Sequence, residues 1–417
     1  MNLSSSIPTR SHALSERQTP LICFSHLRWD FVLQRPQHLM ARFSRERPVF
    51  FFEEYIPTDH HLAYLEIHPF EGTKVKSVRP RVPHWWNAAD RERALSNLLD
   101  DLLAMYGATR PILWFYTPTM YSFASHIDAS AIIYDCMDEL ANFKFAPLEM
   151  KEMEAKLLAE ADVVFTGGFS LYEAKRHQHD NIHPFPSGVD VDHFHSARKG
   201  RTEPADQLAI PGPKLGYYGV IDERLDLELI ADLARARPKL SFVFIGPVVK
   251  IAPEDLPRAE NIYYLGQKDY HELPAYVSGW QAALMPFALN SSTQFISPTK
   301  TPEYLAAGRP VVSTPIKDVI RHYGDLDGVF VASDSEGFAA ACDEALGLCE
   351  KDRAWLKPVD ARLEGSSWDR TFSSMKGLME DVMLRNLYPA IPAKQPLSRP
   401  AKVSALAHGN AVAATDL

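Results

Sequence analysis

Cysteine is scarce in this 417-residue chain, with Cys23, Cys136, Cys342 and Cys349 making up the whole set of four. No pair has zinc-site spacing. On one helix Cys342 and Cys349 would lie roughly 10 Å apart, too far for a disulfide. Reduced structural thiols in a cytosol are therefore expected. A basic surplus is missing too: the formal net charge is −9, which argues against a general nucleic-acid binder. No run of about 18 apolar residues exists to span a membrane. The first 19 residues, "MNLSSSIPTRSHALSERQT", lack the apolar stretch of a secretory signal. Association with a membrane surface stays open. Gly-x-Ser-x-Gly, Walker-type Gly-x4-Gly-Lys-Ser/Thr and His-Glu-x2-His are absent, as is any short internal repeat.

What is present is a soluble, globular composition, 46% hydrophobic and 23% charged, in a chain long enough for two or three domains. Short apolar runs alternate with helical patterns. "LICFSH" (21–26), "PVFFFEE" (48–54), "PILWFYTP" (111–118), "AIIYDCMDE" (131–139) and "DVVFTGG" (162–168) read as strands. Segments 35–46, 91–107, 148–161 and 170–179 between them read as helices. The polar segment from 197, with three Pro, reads as a linker, after which the alternation restarts at "LGYYGVI" (215–221). Such βα units imply parallel sheets wrapped by helices. The expected class is α/β, with two Rossmann-like doubly wound domains facing across a cleft. The expected division is an N-terminal domain over 20–196, a linker over 197–213 and a C-terminal domain over 214–366. A helix over 367–388 can pack on either domain. Residues 1–19 and 389–417 are expected to be disordered.

The chemistry concentrates in "FISPTKTPEYLAAGRPVVSTP" (Phe295 to Pro315). Thr301 suits a helix N-cap, Pro302 the first turn and Gly308 the stop, giving a helix of about two turns. Its N-terminal amides, Lys300 and the hydroxyls of Ser297, Thr299 and Thr301 form a candidate anion site. A carboxylate in the first turn, Glu303, can accept two hydrogen bonds from a ribose diol. The plain alternative is that Glu303 only complements the helix dipole, worth about 0.3–1 kcal/mol.

"EYLAAGRPVVST" resembles the C-terminal half of the Glu-x7-Glu motif of GT-B-fold glycosyltransferases, particularly family 4, in which a Glu five residues before Gly-x-Pro-Val-Val binds the donor ribose. Glu303 and Gly308 match that spacing. "PSGVDVDHF" (186–194), "FVFIGPV" (242–248) and the run 261–287 are similar to the same family, and the resemblance covers about residues 20–385. "SPTKTPEYLA", together with "WDFVLQRPQHL" (Trp29 to Leu39), resembles a subgroup of teichuronic-acid-type cell-surface glycosyltransferases. One position departs: Phe295 stands where the family has the Glu that contacts the transferred sugar.

The resemblance implies a GT-B fold and a retaining hexosyltransferase-type enzyme. A UDP- or GDP-sugar would bind the C-terminal domain as co-substrate, with no cofactor and no metal. Gly219 and Arg224 would join Ser297, Thr299, Lys300, Thr301 and Glu303 in holding it. Arg224 would clamp the leaving diphosphate, or else be a surface residue paired with Glu223 or Asp226. On the acceptor side, Trp29, Gln34, Arg35 and Gln37 offer an aromatic face and forked donors; alternatively Trp29 is core and Arg35 caps a helix. Asp138 is the candidate base, with Arg224 and Lys300 as the other catalytic candidates; Asp135 and His26 are further options. The expected partners are a nucleotide sugar and a saccharide or lipid-linked acceptor, in the cytoplasm or at the inner face of the membrane. A sugar-nucleotide epimerase and a catalytically idle sugar-binding relative are the competing functions.

Overall fold

The computed structural model describes residues 19–349 and 353–388. The segments expected to be disordered fall, residue 19 apart, outside that range.

Nine strands build the first sheet: β1 (Leu21–Ser25), β2 (Val49–Glu53), β3 (Ile56–Thr58), β4 (Tyr64–Pro69), β5 (Val75–Pro83), β6 (Ile112–Phe115), β7 (Ala131–Cys136), β8 (Val163–Thr166) and β9 (Ile182–Pro184). Their order is β3-β5-β2-β1-β6-β7-β8-β9, with β4 antiparallel on β5 and every other pairing parallel. β1 is buried along its whole length, because helices cover both faces of the sheet. One apolar cluster gathers Phe24, Phe52, Phe115 and Leu99 on one face. The other gathers Cys23, Phe51 and Trp114 with Trp368, Met375, Met379 and Val382. Those last four lie on the helix Trp368–Leu387, which therefore packs back onto the N-terminal domain. The segment 55–87, for which the sequence reading offers no element, holds β3, β4 and β5.

Six strands form the second sheet: β10 (Lys214–Tyr218), β11 (Ser241–Ile245), β12 (Ile262–Tyr264), β13 (Ala282–Met285), β14 (Val311–Ser313) and β15 (Val329–Val331). All pairings are parallel, in the order β12-β11-β10-β13-β14-β15, and the sheet has its own core. The carboxyl ends of the central strands of both sheets open on one cleft, where ligands of doubly wound folds bind. Cys23, Cys136 and Cys342 are buried free thiols.

Candidate active site

Between β13 and β14 the chain forms a loop and the helix Lys300–Ala306. Its N-cap is Thr299, two residues earlier than the sequence suggests. Thr301 lies inside the helix, fully buried, and its hydroxyl has no partner among the described residues. Pro302 is tolerated because the first-turn N–H groups have no intrahelical acceptor. Gly308 ends the helix with φ +72, a conformation that side chains disfavour; its N–H donates to the Leu305 carbonyl at 2.9 Å. This geometry points Lys300 Nζ to 2.9 Å from Thr299 Oγ1 and 3.5 Å from Glu303 Oε2, above the ring of Tyr218 at 5.3 Å. The Glu303 carboxylate is 3% exposed and accepts a hydrogen bond from Tyr218 Oη at 2.5 Å.

Gly219 follows β10 with φ +149, and a Cβ there would sit 2.8 Å from Tyr217 Oη and 3.5 Å from Lys300 Cε. Gly246, after β11, is closer still: its Cβ would lie 1.8 Å from the Gly219 carbonyl oxygen. The two glycines let these strand ends meet beside Lys300. Arg224 clamps Asp222 with Nη2–Oδ2 at 2.8 Å, and its guanidinium lies 5.6 Å from the ring of Phe143 in the other domain. Burial opposes its charge, but the bonds to Asp222 and the nearby Asp138 carboxyl hold its pKa above the ordinary arginine value.

One cleft is lined by Gly219, Arg224, Ser297, Thr299 and Lys300 from the C-terminal domain and by Gln34, Arg35 and Asp138 from the N-terminal domain. Thr301, Glu303, Trp29 and Gln37 do not line it. Asp138 sits just after β7. Burial pushes its carboxyl up to about 6, while Arg224 pulls it down and Asp222 pushes it up. His26, at the end of β1, is driven down to about 4, by burial first and then by Lys250, so it is neutral near pH 7.

Arg35, although it borders the cleft, and the candidates outside it have their polar groups held by other residues. Arg35 donates through Nε and Nη2 to Asp135 at 2.8–3.1 Å and through Nη1 to the Phe185 carbonyl at 2.6 Å. Gln37 Nε2 donates to the carbonyls of Arg28 and Trp29 at 3.2 Å. Trp29 packs on Phe51 and Phe70. These contacts shape the loop that carries Gln34. Phe295 packs against the N-terminal core, and its carbonyl accepts from Ser170 Oγ at 3.3 Å. Asp190 of "PSGVDVDHF" caps the helix Val191–His195 through the His193 N–H.

Two supporting groups escape sequence reasoning. Glu53, fully buried, accepts from Arg28 Nη1, the Trp29 N–H, Ser77 Oγ and Arg79 Nε at 2.7–3.1 Å. Lys175, also buried, bridges Glu139 at 2.9 Å and Glu154 at 2.7 Å, anchoring the residue next to Asp138. The only signal for Glu53 is an acid closing an apolar strand; for Lys175 there is none.

Residues 213–347 match the family model described as "Glycosyl transferases group 1". The chain is a GT-B-fold glycosyltransferase. It is 27% identical over 271 residues, 61% of this chain and 68% of the relative, to a Bacillus subtilis (strain 168) protein described as "Putative teichuronic acid biosynthesis glycosyltransferase TuaH". Among solved structures it is similar to a sucrose-phosphate synthase from Thermosynechococcus elongatus, with TM-score 0.67, 14% identity and coverage of 89% of this chain and 100% of that one. Anabaena Alr3699/HepE, solved with UDP and glucose, has TM-score 0.60 and 11% identity, with 87% of this glycosyltransferase and 99% of that chain covered. At such identities the structural likeness speaks to the fold alone.

Proposed function

We propose that this glycosyltransferase moves a sugar from a UDP- or GDP-sugar to a glycan, a lipid-linked saccharide or another cell-surface saccharide, with retention at the anomeric carbon and without a bound metal. The observation that carries the reading is the convergence of Lys300, Arg224 and the Ser297 and Thr299 hydroxyls with Asp138 of the other domain on one cleft. An anionic diphosphate at the helix mouth would meet Lys300 and the first-turn amides, and Arg224 would stabilise the charge that develops as the anomeric C–O bond breaks. Glu303, close behind Lys300, would take the ribose hydroxyls. The acceptor oxygen would bond to the anomeric carbon from the same face that the diphosphate leaves, as retention in a single displacement requires, and its proton would pass to Asp138, ionised above about pH 6. Contact between the domains would exclude water and suppress hydrolysis. The relative's teichuronic acid description supports a cell-surface polymer as the product class, made in the cytoplasm or at the inner membrane face. Calorimetry with a panel of nucleotide sugars, then product analysis with candidate acceptors, tests the reading. Binding without transfer or hydrolysis would favour an idle binding protein, and sugar interconversion without an acceptor an epimerase.

A further inference from the structure

A second cavity, of about 590 Å³, opens on the N-terminal domain at the carboxyl ends of β2 and β6, outside the cleft described above. That volume lies within the range of roughly 300–1,000 Å³ typical of small-molecule sites. Its floor is apolar: Phe52, Leu95, Met120 and Phe123 are all less than 10% exposed. Its rim is polar, with Glu54, Glu92, Arg91 and Thr119. Arg91 lies over the ring of Tyr55, 5.7 Å from its centre, and donates to the Trp86 carbonyl at 2.6 Å. Next to that carbonyl, Trp85 is 49% exposed, with the rings of His84 and His61 at 5.0 and 5.7 Å.

We propose that this cavity binds a neutral saccharide unit of the acceptor, remote from the unit that receives the new sugar. The inference rests on the glycosyl-transfer reading above. A pyranose presents a C–H face and a girdle of hydroxyls. An apolar floor suits the first, and carboxylates and a guanidinium at the rim suit the second. Two carboxylates repel a phosphate or a uronic acid, which favours a neutral ring. The position fits as well. Asp138 follows β7 and Thr119 follows β6, while Glu54 follows β2, and the strand order is β2-β1-β6-β7. At about 4.8 Å per strand, the cavity begins one strand from the reacting position and ends roughly 14 Å away, a span bridged by a short oligosaccharide. The acceptor is then an oligomer lying along the carboxyl edge of the first sheet, with Trp85 as a further platform beyond the rim.

The test uses the full chain and neutral gluco-, galacto- and N-acetylglucosamine oligosaccharides of graded length, with binding read by saturation-transfer NMR and calorimetry. Two variants probe the cavity: Glu54→Ala with Glu92→Ala, which strips the rim, and Met153→Trp, which fills the space. Oligosaccharide affinity should rise with length in the wild type and fall at least tenfold in both variants. UDP affinity at the cleft should stay unchanged, and urea unfolding that matches the wild type shows that the substituted N-terminal domain still folds. Affinity for every oligosaccharide unchanged in the rim variant overturns the proposal, as does a wild type that binds none of them. Binding of polyprenyl phosphate vesicles through the cavity, with no sugar bound, overturns it in favour of an apolar occupant, to which Phe145 and Leu148, 79% and 97% exposed near the Pro147 rim, would then belong. Failure of the wild type to bind any nucleotide or nucleotide sugar sinks the donor reading instead, and the oligosaccharide result is read separately.

Discussion

Asp318 of the C-terminal domain accepts hydrogen bonds from the backbone N–H groups of Phe169 and Ser170 in the N-terminal domain, at 3.0 Å each. One domain thus caps a helix of the other, Phe169–Lys175, whose own N-cap residue, Gly168, has no side chain to do so. Gly168 leaves room for the contact: a Cβ there would sit 2.1 Å from Asp318 Oδ2 and 2.6 Å from Ser297 Cβ, on the donor loop. The cap therefore ties the cleft wall to the domain contact. Replacing Asp318 by Ala removes about 0.5–2 kcal/mol of capping, so the balance between closed and open domain arrangements should shift by about 2- to 30-fold toward open. Small-angle scattering should show a larger radius of gyration and kinetics a higher donor KM. Identical scattering and KM would mean that the cap does not hold the domains together. Arg321–Glu173, at 2.6 Å on the same face but more exposed, should matter far less.

Arg35 and Asp135 form an ion pair at 2.8 Å with both side chains nearly inaccessible. Burial pushes the Asp135 carboxyl up, and the guanidinium pulls it back. Arg35→Ala leaves that carboxylate uncompensated and should destabilise the N-terminal domain by about 3–5 kcal/mol, measured by urea unfolding. Arg35→Met combined with Asp135→Leu should recover most of the loss, because both charges leave together. A fully stable Arg35→Ala variant with raised acceptor KM would instead return Arg35 to direct acceptor contact.

That pair marks the limit of what the sequence reveals. Strands buried on both faces read as unbroken apolar runs such as "LICFS", so the two parallel sheets are legible. β5 is not: "VKSVRPRVP" mixes Lys, Arg and two Pro into a strand that pairs with β2 on one side and with β3 and β4 on the other. At the site, Lys300, Thr299, Ser297 and Arg224 are legible because a short helix mouth and a strand end are local features. The partners of Arg35 and Ser170 are not, since they lie 100 and 148 residues away in sequence and no local spacing encodes them. The same holds for Lys175, whose two carboxylates come from a loop and a distant helix face.

Asp138 gives the clearest pH signature. Its folded-state pKa of about 6 stands above the ordinary 3.8, chiefly through burial. A carboxyl raised in this way favours the folded state when protonated. That contribution is fully present below the unfolded value and is lost as pH rises through about 6. Asp138→Asn should thus be more stable than the wild type at pH 8, with the difference shrinking as pH falls toward 4. If Asp138 takes the acceptor proton, wild-type kcat/KM rises with pH to a plateau above about 6, and the Asn variant loses both this limb and 100- to 10,000-fold in rate, roughly the range for general-base removal. A limb that persists in the variant would assign the base elsewhere, with His26 excluded by its pKa of about 4 only if the limb stays near 6.

Lys300 and Glu303 make the most direct test of the donor site. They lie 3.5 Å apart, three residues apart on the same face of the helix, and of the two only Lys300 lines the cleft. Lys300→Ala removes a charged donor from a phosphate, a loss of about 1.5–3 kcal/mol, so UDP affinity should fall about 10- to 150-fold. Glu303→Gln keeps the shape and one acceptor oxygen but loses the charge that pairs with Lys300 and the strong acceptor for Tyr218. UDP affinity should fall less than for Lys300→Ala, whereas affinity for inorganic diphosphate, which has no ribose, should hold or improve once the neighbouring negative charge is gone. Calorimetry with the two ligands separates these effects. Equal losses for UDP and diphosphate in Glu303→Gln would show that the carboxylate acts by positioning Lys300 and not by holding the sugar, and unchanged UDP affinity in both variants would move the donor away from this helix.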